Sequence, residues 1–306
     1  MERATRLLAI DWGTSTARAY ALDAHGAVIG ERSAALGVQQ VTNGRFADAL
    51  VELCGGALPK GVPAIACGMI GSRQGWVEVA YSECPAGIDA VAGALIRVPG
   101  TELSIVPGLI VRDAEGVPDV MRGEETQIFG ALADGAMARG VFVLPGTHSK
   151  WALAGADGVE TFVTFMTGEL YAVLRQHSIL GRLATAAAEV AAFDRGVRAS
   201  LRTGAALPHD LFSARSLALT GELASEGVGD YLSGLLVGAE ITVARAWAAR
   251  NATAGSEVTL VGEAALCERY RRALTLAGID AVQGPAAAAA RGLWRIAQRA
   301  GMVGAC

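Results

Sequence analysis

The chain has 306 residues, 52% of them hydrophobic and only 18% charged, with 39 glycines and a formal net charge of −4. That length suits two domains with sizeable cores and excludes a disordered chain. The charge excludes the basic stripe of a nucleic-acid binder and the polybasic patch of a lipid-surface protein.

Mean hydropathy is +0.37, but no run reaches the roughly 18 uninterrupted apolar residues of a membrane span. The N-terminal residues lack the apolar core of a signal peptide, so the reading is a cytoplasmic protein with small-molecule partners. Five cysteines (Cys54, Cys67, Cys84, Cys267, Cys306) show no CxxC pair and read as isolated thiols.

In chain order, residues 7–10 form a short apolar strand, 11–16 a polar turn, 18–22 a returning strand, 23–26 a hairpin turn and 27–30 a third strand. A helix over 46–53, with Phe46, Ala49, Leu50 and Leu53 on one side, leads to an apolar strand at 62–67. After a predicted helix at 123–133 the pattern returns: strand 141–144, polar turn 145–149, strand 151–154, hairpin turn 156–158 and strand 161–165. Gly13-Thr14 precedes Gly26 by 13 residues, and Gly146-Thr147 precedes Gly158 by 12, so the chain reads as an internal duplication. Further helices are expected at 168–174, 231–249, 264–276 and 285–298, the last with Pro285 as its first residue, and a buried strand at 258–261. Strands and helices mix throughout, as in an α/β protein.

A strand ending in a Gly-Thr turn offers backbone amides and hydroxyls to a phosphate. Gly13, Thr14 and Ser15 supply one such turn, and Gly146, Thr147, His148 and Ser149 the other. Asp11 sits at the carboxyl end of the first strand, where α/β sheets place ligands. Beside a phosphate this carboxylate implies a bridging Mg²⁺ held mainly through water, although an aspartate there also caps its own turn. The second turn replaces the aspartate by Pro145 and is cationic, with Lys150 either reaching the ligand or lying at a solvated strand edge.

Arg122-Gly123-Glu124-Glu125 opens the helix at 123–133. Two acids in a first helical turn suit the helix dipole; they also suit a general base that takes a proton from an alcohol during phosphoryl transfer. The glycine-rich stretch 67–76 carries Ser72, Arg73 and Trp76. Arg73 is the expected carboxylate fork, against a plain surface arginine, and Trp76 is either a ligand contact or core. Gly262, between strand and helix, would let a nucleoside approach.

The strings Ala9 to Ser15, Cys67 to Trp76 with Cys84-Pro85-Ala86, Met121 to Gln127, Gly146 to Trp151, Met166 to Leu170, His177 to Leu180 and Leu232 to Gly238 run in order along nearly the whole chain. Together they resemble the 2-dehydro-3-deoxygalactonokinase family, within the sugar kinase, heat-shock ATPase and actin superfamily. The resemblance implies a duplicated ribonuclease H-like (actin-like ATPase) core, with two domains around a central nucleotide cleft. Expected boundaries are 1–122, 123–284 and a final segment 285–306 returning to the first domain. It further implies ATP and Mg²⁺, the latter on Asp11, and phosphorylation of the 6-hydroxyl of a 2-keto-3-deoxy sugar acid in galactonate catabolism, and is compatible with a homodimer.

By the same resemblance, Asp11, Gly13, Thr14 and Ser15 match the first phosphate loop, Gly146 to Ser149 the second, and Val261-Gly262 the adenosine element. Arg73, Ser72, Trp76, Arg122 and Lys150 fall on the sugar-acid side. The Gly-Glu helix start resembles that of superfamily polyphosphate hydrolases and favours Glu124 as base over Glu125. Many superfamily sugar kinases place an acid near the second loop instead, and Pro145 departs from that. The rival readings are a phosphohydrolase or another sugar-acid kinase on this fold, and a non-catalytic nucleotide sensor.

Overall fold

The structure, a computed structural model, describes residues 4–56, 61–132, 139–185, 189–204, 206–252 and 256–304. The chain divides into two compact units. Unit 1 holds Met1–Ala138, Ala154–Phe162 and Pro285–Cys306; unit 2 holds Arg139–Leu153 and Val163–Gly284.

Unit 1 begins with β1 (Leu7–Trp12), β2 (Ala17–Leu22) and β3 (Val28–Ala34), followed by α1 (Phe46–Cys54) and β4 (Ala64–Gly68). Then come β5 (Ser82–Glu83), α2 (Ile88–Gly93), β6 (Ile96–Arg97), β7 (Leu103–Ile105), β8 (Leu109–Arg112), β9 (Pro118–Met121) and α3 (Glu124–Ala131). The main sheet runs β3-β2-β1-β4-β7-β6, with β1 antiparallel to β2 and parallel to β4. A small sheet β5-β8-β9, which the sequence pattern missed, carries the chain toward α3.

Alternation along β1 decides what faces where. Leu8, Ile10 and Trp12 enter a core with Phe46, Leu50 and Leu53 of α1. Asp11 has the opposite parity and sits directly across from Cys67 on β4.

The second set of strands repeats the plan. β10 (Arg139–Leu144), β11 (Ser149–Gly155) and β12 (Gly158–Phe165) are followed by α4 (Thr167–His177), α5 (Val190–Thr203), α6 (Leu207–Leu219), α7 (Val228–Asn251), β13 (Val258–Leu260), α8 (Ala264–Leu276) and β14 (Ala281–Gln283). Their order, β12-β11-β10-β13-β14, matches the first five strands of the main sheet position for position, with β13 parallel to β10 as β4 is to β1. The duplication read from the Gly-Thr spacing is therefore a duplication of topology.

α7 is long and apolar enough to cross a membrane by length and composition, but its residues from Val228 to Ile241 are buried. Gly196 and Gly234 let α5 and α7 meet backbone to backbone, since a Cβ on either would collide with a carbonyl of the other helix. Core helices of this kind hold a unit together.

Two expectations need correction. The chain passes to the second unit at 138/139, not at 122/123, because α3 packs on the last helix, α9 (Ala288–Arg299), where Gly130 and Gly292 remove the Cβ atoms that would separate them. Pro285 is not the first residue of α9, because Gly284 N–H still bonds to Leu260 O of β13 (2.8 Å) and the left-handed Ala287 (φ 51°) delays the helix start to Ala288. The final segment belongs to unit 1.

Candidate active site

In unit 1 the ends of β1, β4 and β9 bring the predicted carboxylates together. Gly68 ends β4 at φ 89°, where a Cβ would lie 2.6 Å from Trp12 O. Gly123 (φ 109°) packs on it, with a Cβ position 3.2 Å from Gly68 Cα. Only glycine meets both the left-handed backbone and the contact, and the contact delivers the start of α3 to the end of β1.

There both acids fold back on their own turn. Glu124 Oε2 accepts from Arg122 N–H (3.0 Å), and Glu125 Oε2 accepts from Gly123 N–H (2.7 Å). Thr126 Oγ1 donates to Glu125 Oε1 (2.8 Å). Glu125 is fully buried, whereas Glu124 is half-buried.

The electrostatics show how crowded this corner is. Burial, reinforced by repulsion from Glu124, lifts the Glu125 carboxyl to about 7. Burial also lifts Asp11 to about 6, with Glu124 adding to the rise and Arg18 opposing it. Cys67 Sγ lies 3.9 Å from Asp11 Oδ1, and its thiol is pushed well above the usual range by burial and by the carboxylates around it.

The first Gly-Thr turn follows Asp11. Gly13 N–H donates to Thr16 O (2.9 Å), and Val38 N–H and Gln39 N–H bond to the Gly13 and Thr14 carbonyls (3.0 and 3.2 Å). The turn is thus held from its carbonyl side, and the side chains of Thr14 and Ser15 are exposed.

The two arginines expected on the sugar-acid side, Arg73 and Arg122, differ sharply. Arg73 is 89% exposed and only loosely paired with Glu78 (3.9 Å). Arg122 is buried, donates through Nη2 to Val79 O (2.7 Å) and lies 4.4 Å above the Tyr81 ring. Its Nε and Nη1, and Ser72 Oγ nearby in sequence to the Gly71 that touches it, have no protein partner. Trp76 stacks on Phe46 (6.1 Å between centroids) in the unit 1 core, which makes it a packing residue.

In unit 2 the turn Pro145–Ser149 meets the start of α4. A Cβ on Gly168 would lie 2.8 Å from Thr147 Cα, and Glu169 N–H donates to Thr147 O (3.0 Å). His148 Nε2 pairs with Glu169 Oε2 at 2.5 Å. Lys150 is buried, its Nζ donating to His148 O (3.1 Å), so it is no solvated edge residue. Ser149 is also buried, and its hydroxyl bonds to Tyr270 OH (2.8 Å), so it faces away from a phosphate in the turn.

A pocket of about 620 Å³ opens beside this turn, within the range of small-molecule and cofactor sites. Its walls are Pro145, Gly146 and Thr147, the start of α4, one face of α7 and the start of α8. Gly262 (φ 147°) precedes Glu263, whose carboxylate caps α8 by accepting from Ala265 and Leu266 N–H (3.0 and 2.9 Å). Asp230 and Arg269 pair across the pocket wall (2.5 Å), and Arg269 Nε donates to Ser233 Oγ (3.1 Å). None of these three was singled out from sequence; the only signal was Ser233 inside the apolar Leu232 to Gly238 string.

Two sheets of one strand order, each with a Gly-Thr turn after its first strand, give the duplicated α/β fold of the actin-like ATPases. A profile of the 2-keto-3-deoxy-galactonokinase family matches residues 11–296. The chain is 39% identical to a Rhizobium meliloti protein named as a probable 2-dehydro-3-deoxygalactonokinase, covering 94% of this chain and 97% of that one. It is 36% identical to the Escherichia coli 2-dehydro-3-deoxygalactonokinase, covering 90% and 91%. A Sinorhizobium meliloti crystal structure described by the same kinase name superposes with a TM-score of 0.84 at 36% identity, over 95% and 96% of the two chains. The chain belongs to the 2-keto-3-deoxy-galactonokinase family.

Proposed function

We propose that this chain transfers the γ-phosphoryl group of ATP to the 6-hydroxyl of 2-dehydro-3-deoxy-D-galactonate, giving the 6-phosphate and ADP in galactonate catabolism, in the cytoplasm. The observation that carries the reading is the corner where Asp11, Glu124 and Glu125 meet in unit 1, in a chain of this family. Glu124 is the base: it is half-buried and so reachable from outside, whereas Glu125 is fully buried against Gly123 N–H and Thr126 Oγ1. The sugar oxygen bonds to the γ-phosphorus, the bond from that phosphorus to the β-bridging oxygen breaks, and the hydroxyl proton passes to Glu124.

Asp11 fits Mg²⁺, because a carboxylate lifted by burial and by a second acid gains from a hard cation, which usually binds through one or two carboxylates, waters and phosphates. When bound, the ion neutralises charge on the phosphates. Gly13, Thr14 and Ser15 form a phosphate turn in unit 1 and Gly146, Thr147 and His148 another in unit 2, and the unit 2 pocket, next to the turn at Gly262, takes the nucleoside. Arg122 and Ser72 replace Arg73 as the carboxylate end of the sugar-acid site, since their buried donors lack partners.

The test compares ATP consumption with and without 2-dehydro-3-deoxygalactonate and identifies the product by mass. Sugar-dependent ADP release with a phosphorylated acid supports the reading. Equal turnover without the sugar acid would make the protein a phosphohydrolase, and nucleotide binding without any turnover would make it a sensor.

A further inference from the structure

Glu240 lies in the middle of α7 and is 3% exposed. A carboxylate is costly to bury unless hydrogen-bond donors surround it, and here they do. Trp151 Nε1–H donates to Oε1 (2.8 Å) and Tyr270 O–H donates to Oε2 (2.7 Å). The hydroxyls of Thr167 and Ser149 lie close to the same carboxylate and oppose the rise that burial imposes on its proton affinity.

These partners come from the pieces that wall the nucleotide pocket. Ser149 is the last residue of the second Gly-Thr turn and the first of β11, and Trp151 is two residues on, on the same face of the strand. Thr167 begins α4, and Tyr270 stands on α8; both line the pocket. Glu240 itself continues the stripe Asp230, Ser233, Val237, at helical spacing along the pocket face of α7. Because Tyr270 gives its only proton to Glu240, its bond with Ser149 must use the serine proton. Trp151, Thr167 and Tyr270 therefore point inward to the one carboxylate, and Ser149 supports it through Tyr270.

We infer that Glu240 is the positioning residue of the nucleotide site, acting through Ser149, Trp151, Thr167 and Tyr270 to hold the phosphate turn, α4 and α8 in register. It touches no ligand. The inference rests on the proposed ATP-binding role of this pocket, and it explains why a buried serine and tryptophan follow the turn. No apolar side chain could replace inward bonds to β11, α4 and α8.

The test uses the full chain and measures ADP binding by calorimetry, together with KM for ATP and for the sugar acid. Glu240→Gln keeps the shape but turns one acceptor into a donor. Losing charge-assisted bonds to the turn should weaken ADP binding and raise the ATP KM by about 10-fold or more. The sugar-acid KM, set in unit 1, should stay within about twofold. Tyr270→Phe removes a single oxygen and retains the packed ring, so it decides the matter if the glutamine variant does not fold; it should raise the ATP KM by about 3- to 10-fold. Unchanged ADP binding in the folded variants, or equal rises in both KM values, overturns the inference. A wild-type chain that binds no ADP overturns the ATP reading as well, which separates the two failures.

Discussion

Gly123 rests against Gly68 with no side chain between them, so the end of β4 and the start of α3 touch through main chain alone. Every position of Glu124 and Glu125 depends on that contact. Gly123→Ala would force a left-handed residue to carry a Cβ 3.2 Å from Gly68 Cα. The expected cost is about 1–3 kcal/mol of stability, measured by urea unfolding, with a fall in kcat that exceeds any change in the ATP KM. A variant of wild-type stability and rate would show that the contact does not set the acids.

The two glutamates should separate by kinetics. Glu124→Gln should lower kcat by about 10²- to 10⁴-fold, the usual range for loss of a general base. Glu125→Gln should act more mildly, since its oxygens are bound to Gly123 N–H and Thr126 Oγ1. The reverse ranking would move the proton acceptor to Glu125.

The corner also predicts a pH dependence of folding. Asp11 and Glu125 have folded-state values raised to about 6 and about 7, from 3.8 and 4.5. The native state therefore binds more protons than the unfolded chain between those limits, and stability falls as pH rises from about 4 to 7. Unfolding free energies at pH 5 and pH 7.5 should show the decline, and Glu125→Gln should make it shallower. A stability that climbs over this window would contradict the burial of these acids.

Arg122 and Arg73 give a paired test of the sugar-acid end. Arg122→Lys keeps a charge but loses the planar fork, so it should raise the sugar-acid KM by about 10-fold, roughly the worth of one charged hydrogen bond. Arg73→Ala should leave it nearly unchanged, as expected for a side chain 89% exposed. If only Arg73→Ala moves that KM, the carboxylate end lies on the loop.

What was legible in the sequence was local. Gly13-Thr14 and Gly146-Thr147 stand out because strand, turn and hairpin recur at nearly fixed spacing, and the two sheets follow the same strand order. The sheet β5-β8-β9 was not legible, since strands of two to four residues leave no period to read. The helix α5 was overlooked although Phe193, Val197 and Leu201 recur every fourth residue, because an alanine-rich approach hides its start. Which arginine is buried, and that Glu240 meets Trp151 across 89 residues of chain, depends on tertiary packing that no local pattern encodes.

The pocket in unit 2 supplies a further prediction at Arg269. Its guanidinium lies 4.1 Å over the Phe193 ring, pairs with Asp230 (2.5 Å) and donates to Ser233 Oγ (3.1 Å), so α5 and α7 meet on one side chain of α8. Asp230 Oδ2 also accepts from Glu189 N–H (2.5 Å), tying the start of α5 to the same wall. Arg269→Ala leaves Asp230 without its cation in a largely buried place, which should cost about 1–3 kcal/mol in unfolding experiments. Because both residues line the unit 2 pocket, which the proposed function gives to the nucleoside, the ATP KM should rise by about 10-fold. Arg269→Lys should recover part of the stability through the charge, but little of the affinity, since the fork that spans Asp230 and Ser233 is gone. Measuring both constants for both variants distinguishes a wall that merely holds the unit together from one that shapes the nucleoside site: in the first case lysine restores KM along with stability.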